Sequence, residues 1–241
     1  MFKKIYWVYR FLKDYITFKK LFKRQNDFRI LKLWPIVWDK NDDAWHIWWV
    51  YFHQDLIAAR RIFQNNPIKH VDIWSRTDWF VAHVASFREI EVLDIRPLKN
   101  TIKNIKFTQM DLMDPQEHLN NYTDSISSLC VIEHFGLGRY GDRLDINWHI
   151  KWLDSIYKIL KRWWKFYFSV PIWPQRIEFN AHRVFDVTYL IGLFENKYHI
   201  DHFSYIDDIW DLHENAIMEK HSIKNNFWCN FGCGVFEMTK I

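Results

Sequence analysis

Glycine is scarce in this chain. It holds 6 glycines in 241 residues, where an ordinary composition of ~7% would supply roughly 17. The shortage excludes glycine-rich phosphate cradles: there is no G-x-G-x-x-G and no P-loop. Cysteine is nearly as sparse, with three residues, Cys130, Cys229 and Cys233, and no CxxC pair. An odd count argues against a disulfide framework and fits a reducing, cytoplasmic setting. No run of 18 apolar residues exists, so no membrane-spanning helix is expected. The N-terminus lacks the apolar core and small-residue cleavage site of a secretory signal. Neither GxSxG nor HExxH occurs, and no metal site is expected.

What is abundant is tryptophan, with 15 residues. Its surplus is close to the glycine deficit. Charge is uneven as well. Residues 1–32 hold ten Lys/Arg and two Asp, a net of +8, so the remaining 209 residues carry −4 of the total +4. The acidic body argues against a nucleic-acid surface. The basic segment "FKKIYWVYRFLKDYITFKKLFKR" (2–24) places Ile5, Val8, Leu12, Tyr15 and Phe22 near helical spacing, with Lys13, Lys20 and Arg24 between them. A basic amphipathic helix of this kind suits peripheral contact with an anionic membrane face, or packing on the body. The expected division is a basic aromatic arm over 1–40 and one domain over 41–241.

From position 68 the pattern alternates between strands and helices. Strands are expected at 68–73, 89–95, 104–111, 125–134, 165–172, 198–206 and 234–240. Helices are expected at 78–87, 148–161 and 184–197, the last capped by Asp186. Such alternation predicts an α/β fold: a Rossmann-like, doubly wound, mostly parallel seven-stranded sheet with an antiparallel last strand. Ligands in these sheets bind at the carboxyl ends of the strands. Asp72, Asp94 and Asp111 end three successive strands. Asp94 lies where an acidic residue accepts the ribose hydroxyls of a nucleoside cofactor. Positions 74–79, "WSRTDW", do not supply a dinucleotide fingerprint even with glycine in place of both tryptophans. A returning final strand separates the two adenosine cofactors in favour of S-adenosylmethionine over a nicotinamide dinucleotide.

The ordered strings "VDIWSRTDWF", "EVLDI", "FTQMDLMD", "SISSLCVIEHFGLGRYGD" and "IYKILKRWWKFYFSVPI" resemble the class I S-adenosylmethionine-dependent methyltransferases over residues 68–241. "YFHQDL" (51–56), "SLCVIEHFGLGRYGD" (128–142) and "QRIEFNAHRVF" (175–185) are similar to a bacterial methyltransferase-like family of undefined function. The resemblance implies methyl transfer to oxygen or nitrogen of a small-molecule or glycan acceptor. It places Asp72, Trp74, Ser75, Asp78, Asp94, Ile95, Asp111 and Leu112 around the cofactor. Glu133 and His134 follow the fourth strand as the catalytic pair, with His134 the candidate base. Arg139, Tyr140, Arg176, Glu178, Asn180 and His182 face the acceptor, and their hydrogen-bonding density suits a sugar or an anionic group. A methyltransferase-like fold that binds a partner or membrane without catalysis is the competing expectation.

The same resemblance expects glycine where this chain has Trp45, Trp74, Trp79, Trp163, Trp164, Trp173, Trp148, Trp210, Trp228 and Trp48 or Trp49. That tally of about ten matches the compositional deficit. A glycine codon read as tryptophan, or deliberate substitution, accounts for both. An indole at 74 is expected to occupy cofactor space, so this chain is expected not to bind the cofactor.

Overall fold

The computed structural model describes residues 2–22, 32–36, 49–112 and 117–241. The chain divides into two compact units, Met1–Ile47 and Trp48–Ile241. In the first unit, helix α1 (Phe2–Phe22) exposes Tyr6, Val8, Tyr9, Leu12, Ile16, Phe18 and Leu21. No described helix is long and apolar enough to cross a membrane. Trp45, Trp48 and the far end of the 2–24 segment lie outside the described residues.

The second unit begins with α2 (Val50–Asn65), followed by β1 (His70–Ile73), α3 (Phe80–Ala85), β2 (Ile90–Asp94), β3 (Ile105–Gln109) and β4 (Thr123–Leu129). Then come α4 (Trp148–Ile159), β5 (Leu160–Ile172), the hairpin β6 (Arg176–Glu178) and β7 (His182–Val184), α5 (Val187–Phe194) and β8 (Tyr198–Ile206). A two-residue β9 (Leu212–His213), α6 (Lys220–Lys224) and β10 (Gly232–Lys240) complete it. The main sheet has the order β3-β2-β1-β4-β5-β10-β8-β9. Strands β1 to β5 pair in parallel, and β10 returns antiparallel between β5 and β8. The α/β, mostly parallel sheet with an antiparallel last strand is therefore as expected. An eighth strand joins the seven because Leu212 and His213 pair antiparallel with Ile206 and Tyr205 on the edge.

Burial on both faces explains the strand sequences. Strands β1 and β2 are buried at every position. Strand β4, "TDSISSL", is fully buried yet polar; the hydroxyls of Thr123, Ser125 and Ser127 are hydrogen-bonded, while Ser128 Oγ has no partner among the described residues. Ser125 and Ser127 meet the two His70 ring nitrogens at 2.7 and 3.1 Å, and burial pulls His70 down to about 3. Ala58, Ala59 and Ile62 of α2 pack with Phe80, Val81 and Val84 of α3 against Ile90, Val92 and Tyr167. On the other core, Trp152, Leu153 and Ile156 of α4 join Leu190 and Phe194 of α5 around Phe166 and Phe168. The Asp186 cap of α5 forms as expected: its carboxylate accepts the Tyr189 N–H at 3.2 Å. Asn226 braces it, donating to Asp186 at 2.9 Å and accepting from Val187 N–H at 2.7 Å.

Four tryptophans sit in left-handed backbone: Trp74 (φ 66), Trp163 (φ 70), Trp210 (φ 68) and Trp228 (φ 58). A bulky residue at positive φ is a conformational outlier, and glycine is the residue that tolerates it. All four are among the expected glycine positions. Trp79, Trp148, Trp164 and Trp173 are not at positive φ.

Candidate functional site

The strand order reverses between β1 and β4, and their carboxyl ends open onto one cavity of about 620 Å³. Its volume lies within the usual range for small-molecule sites. Segments converging on it include Tyr51, Gln54 and Asp55 from α2, the turn 74–79 after β1, Arg96 after β2, Cys130–Phe135 after β4, the loop residues Arg139 and Tyr140, His182 of β7, and Phe231–Cys233 entering β10.

The turn after β1 is built on Asp72. Its buried carboxylate accepts from Ser75 N–H and Ser75 Oγ, both at 2.9 Å, and from Ser127 Oγ at 2.6 Å. Burial outweighs these donors and raises Asp72 to about 6. Asp72 thus shapes the turn from beneath, while Trp74 and Ser75 line the cavity. The Trp74 indole is buried and meets Phe135 edge-on at 4.1 Å. Its Nε1 has no hydrogen-bond partner among the described residues. Asp78 pairs with Arg76 at 2.8 Å in the open.

Asp94 is engaged by Arg96. It accepts the Arg96 backbone N–H at 2.8 Å and the guanidinium at 3.0 and 2.6 Å. That guanidinium lies 5.8 Å from the Trp74 ring and 5.6 Å from the Tyr140 ring. Arg96 therefore lines the cavity where Asp94 was expected to. Ile95 is half-buried, Asp111 exposed and Leu112 buried, all beside the turn after β2 and β3 rather than on the cavity wall.

After β4, Glu133 and His134 come together, with His134 Nε2 3.7 Å from Glu133 Oε1. Glu133 is 2% exposed, and its Oε2 has no hydrogen-bond partner among the described residues. Burial pushes Glu133 up to about 8 and pulls His134 down to about 4. At neutral pH the carboxyl holds its proton and the imidazole is neutral. His134 Nδ1 lies 2.9 Å from the Ala181 carbonyl and 3.0 Å from the Arg139 guanidinium. Asp55, across the cavity, is raised to about 7 by burial.

The loop 136–142 is held from inside by Asp142, which accepts from the N–H groups of Gly136 (2.7 Å), Gly138 (3.3 Å) and Tyr140 (3.0 Å). A Cβ at Gly136 would stand 2.2 Å from the Asp145 carbonyl oxygen, so that position requires glycine on contact alone. Buried Arg183 donates to the Phe135 carbonyl from the opposite side. The loop thereby presents Arg139 and Tyr140 to the cavity, with His182 beside them. Arg176 and Glu178 pair with each other at 2.7 Å, and Glu178 reaches His182 at 3.1 Å. These two and Asn180 stand on the hairpin, outside the cavity wall. Sequence reasoning passed over Arg96, Tyr51, Phe231 and the pair Cys130 and Cys233. Arg96 alone had a signal, two residues beyond a strand-end aspartate.

A family model described as "Caenorhabditis protein of unknown function, DUF268" matches residues 75–227. The chain belongs to the DUF268 family. The match spans "CVIEHFGLGRYGD" and "QRIEFNAHRVF", but its description is not that of the bacterial family those strings suggested. No curated protein matches the chain. Solved structures do. The DUF268 chain is similar to a Burkholderia thailandensis 1,6-didemethyltoxoflavin-N1-methyltransferase with bound 1,6-didemethyltoxoflavin and S-adenosylhomocysteine (11% identity, TM-score 0.55, 78% of each chain covered). It is also similar to the N-methyltransferase NodS from Bradyrhizobium japonicum WM9 (10% identity, TM-score 0.53, 85% of this chain and 91% of that one). The [4+2]-cyclase SpnF is a third (10% identity, TM-score 0.57, 78% and 80%). The shared feature is the Rossmann-like fold of class I methyltransferases.

Proposed function

We propose that the DUF268 site is that of an S-adenosylmethionine-dependent methyltransferase acting on a small-molecule or glycan acceptor. The observation that carries this reading is buried Glu133 beside His134 in the cavity at the carboxyl ends of β1 and β4, where burial raises the carboxyl and lowers the imidazole. S-adenosylmethionine, when bound, supplies a sulfonium-borne methyl group.

The polar shell suits an adenosyl ligand. Asp94 keeps carboxylate lone pairs at the end of β2, and Asp111 stands at the end of β3. Ser75, on the Asp72-braced turn, lines the cavity together with Glu133. The obstruction is Trp74, whose indole fills the space beside Phe135. Arg139 has no carboxylate within ion-pair distance among the described residues, unlike Arg76 and Arg96, and it is the group to hold an anionic or hydroxyl-rich acceptor beside Tyr140. Methyl transfer to an O–H or N–H needs a proton acceptor. Neutral His134 accepts a hydrogen bond at any physiological pH. Glu133 becomes the stronger base once it ionises, near pH 8.

Trp74 also favours the second reading, a methyltransferase-like fold without catalysis. Calorimetry with S-adenosylhomocysteine separates the two. The expected result is no binding by this chain and recovered binding by Trp74→Gly combined with Trp79→Gly. Recovered binding without methylation in sugar and lipid extracts would support the non-catalytic reading. Micromolar binding by the unaltered chain would overturn the obstruction argument.

For α1 we propose an interfacial role at an anionic membrane face, consistent with a cytoplasmic protein. Its exposed apolar residues alternate with lysines along the helix, and such helices bind by apolar burial plus charge.

A further inference from the structure

Two of the three cysteines meet at the cavity wall. Cys130 follows β4 and Cys233 is the second residue of β10. They are 103 residues apart in sequence, yet their sulfurs lie 3.8 Å apart. Both line the cavity, and Cys130 is the more accessible of the two. The separation is far longer than the ~2.05 Å of a disulfide, so the pair is a reduced dithiol. Cys130 holds its place at φ 52, a left-handed conformation of the kind that persists only where its surroundings enforce it. Its backbone N–H donates to the Ser169 carbonyl and Oγ, both at 3.0 Å.

The polar group facing both sulfurs is Gln54. Its Oε1 lies 3.2 Å from Cys130 Sγ and 3.7 Å from Cys233 Sγ, and it accepts from Ser169 Oγ at 2.7 Å. Gln54 is itself 2% exposed. Its amide nitrogen donates to Asp55 at 3.1 Å, which orients the oxygen toward the thiols.

We infer that Cys130, Cys233 and Gln54 form a binding site for a thiophilic divalent d¹⁰ cation such as Zn²⁺. Two thiolates on a tetrahedral ion with metal–sulfur bonds of ~2.3 Å stand about 3.8 Å apart. That is the separation found here. The amide oxygen sits near both sulfurs, at the spacing of a third tetrahedral corner. Among the described residues no group of three His, Cys, Asp or Glu side chains is placed to hold a metal. The set is therefore two sulfurs and one neutral oxygen, with the remaining position open to the cavity. An open position is the arrangement of exchangeable and catalytic sites rather than closed structural ones. Binding forms two metal–sulfur bonds and releases two protons, one from each thiol. Because each thiol must lose its proton to bind, affinity rises with pH. Cys229 does not line the cavity and serves as the internal control.

The site does not depend on methyl transfer, and its test reads metal and thiols only. The full reduced chain is titrated with Cd²⁺, whose thiolate complexes absorb in the ultraviolet. The expected result is a charge-transfer band saturating at one equivalent, lost in Cys130→Ser and in Cys233→Ser and kept in Cys229→Ser. Gln54→Ala should weaken binding about tenfold. A variant that fails to fold does not stall the test, because Cd²⁺ should protect Cys130 and Cys233 of the unaltered chain from alkylation and leave Cys229 as reactive as before. A band that survives in Cys130→Ser, or alkylation of Cys130 and Cys233 that Cd²⁺ does not slow, would overturn the assignment.

Discussion

The left-handed tryptophans allow a test in which side-chain burial cancels. Trp163 and Trp228 are each 62% exposed, at φ 70 and 58. Replacing either by glycine removes the indole and the steric strain together. Replacing it by alanine removes the indole and leaves a Cβ at positive φ. The difference between the two variants isolates the backbone. A Cβ in left-handed conformation costs about 1–2 kcal/mol. Glycine loses roughly 0.5–1 kcal/mol more backbone freedom than alanine on folding. The glycine variant should therefore be the more stable of the pair, by about 0.75 kcal/mol at the midpoint of those ranges, at both positions. Trp164, the next residue in β5 and not at positive φ, is the control. There the order should invert, with alanine ahead by about 0.5–1 kcal/mol. Denaturant midpoints at constant slope give these differences directly. Alanine equal to or ahead of glycine at 163 and 228 would refute the claim that this fold wants glycine there.

Other outcomes follow from the same reasoning. Glu133 is raised from an ordinary carboxyl value to about 8, so the folded state binds its proton more tightly than the unfolded chain. Its stabilising contribution is complete below about pH 4.5 and is lost as pH rises toward 8. Glu133→Gln should thus match the parent in acid and exceed it by a few kcal/mol at about pH 9, measured by denaturant midpoint; parallel curves across that range would contradict the burial argument. Asp186→Ala, which removes the cap of α5, should lower stability by about 1 kcal/mol, read as a thermal shift. Sequencing the coding DNA should show UGA at 74, 163, 210 and 228, and UGG at those codons would rule out a reassigned codon. A peptide of residues 2–24 should bind vesicles containing anionic lipid and release them at high salt; equal binding to neutral vesicles would remove the electrostatic part of the proposal.

Much of the fold was legible because burial writes a local period. The apolar runs of β1 and β2 and the 3.6-residue stripe of α4 are readable one segment at a time. So were Asp186, a cap whose partner is three residues away, and the glycine deficit, which needs only counting. Strand β5 was expected at 165–172 and starts at Leu160, where the chain passes from the end of α4 at Ile159 directly into extended backbone. Strand β9 was missed, since two residues on a sheet edge carry no period.

The sequence by itself determined the alternating elements, the strand-end aspartates and the presence of Glu133 and His134 after one strand. Only the tertiary structure decided what those groups experience. Arg96 claims Asp94, burial reverses the ordinary proton affinities of Glu133 and His134, and Gln54 faces two sulfurs 103 residues apart in the chain. Such outcomes depend on desolvation and on contacts between distant segments, and neither is encoded in local spacing. Composition could count the tryptophans in excess. It took the backbone, with φ near +60° at four of them, to show which ones stand where a side chain does not belong.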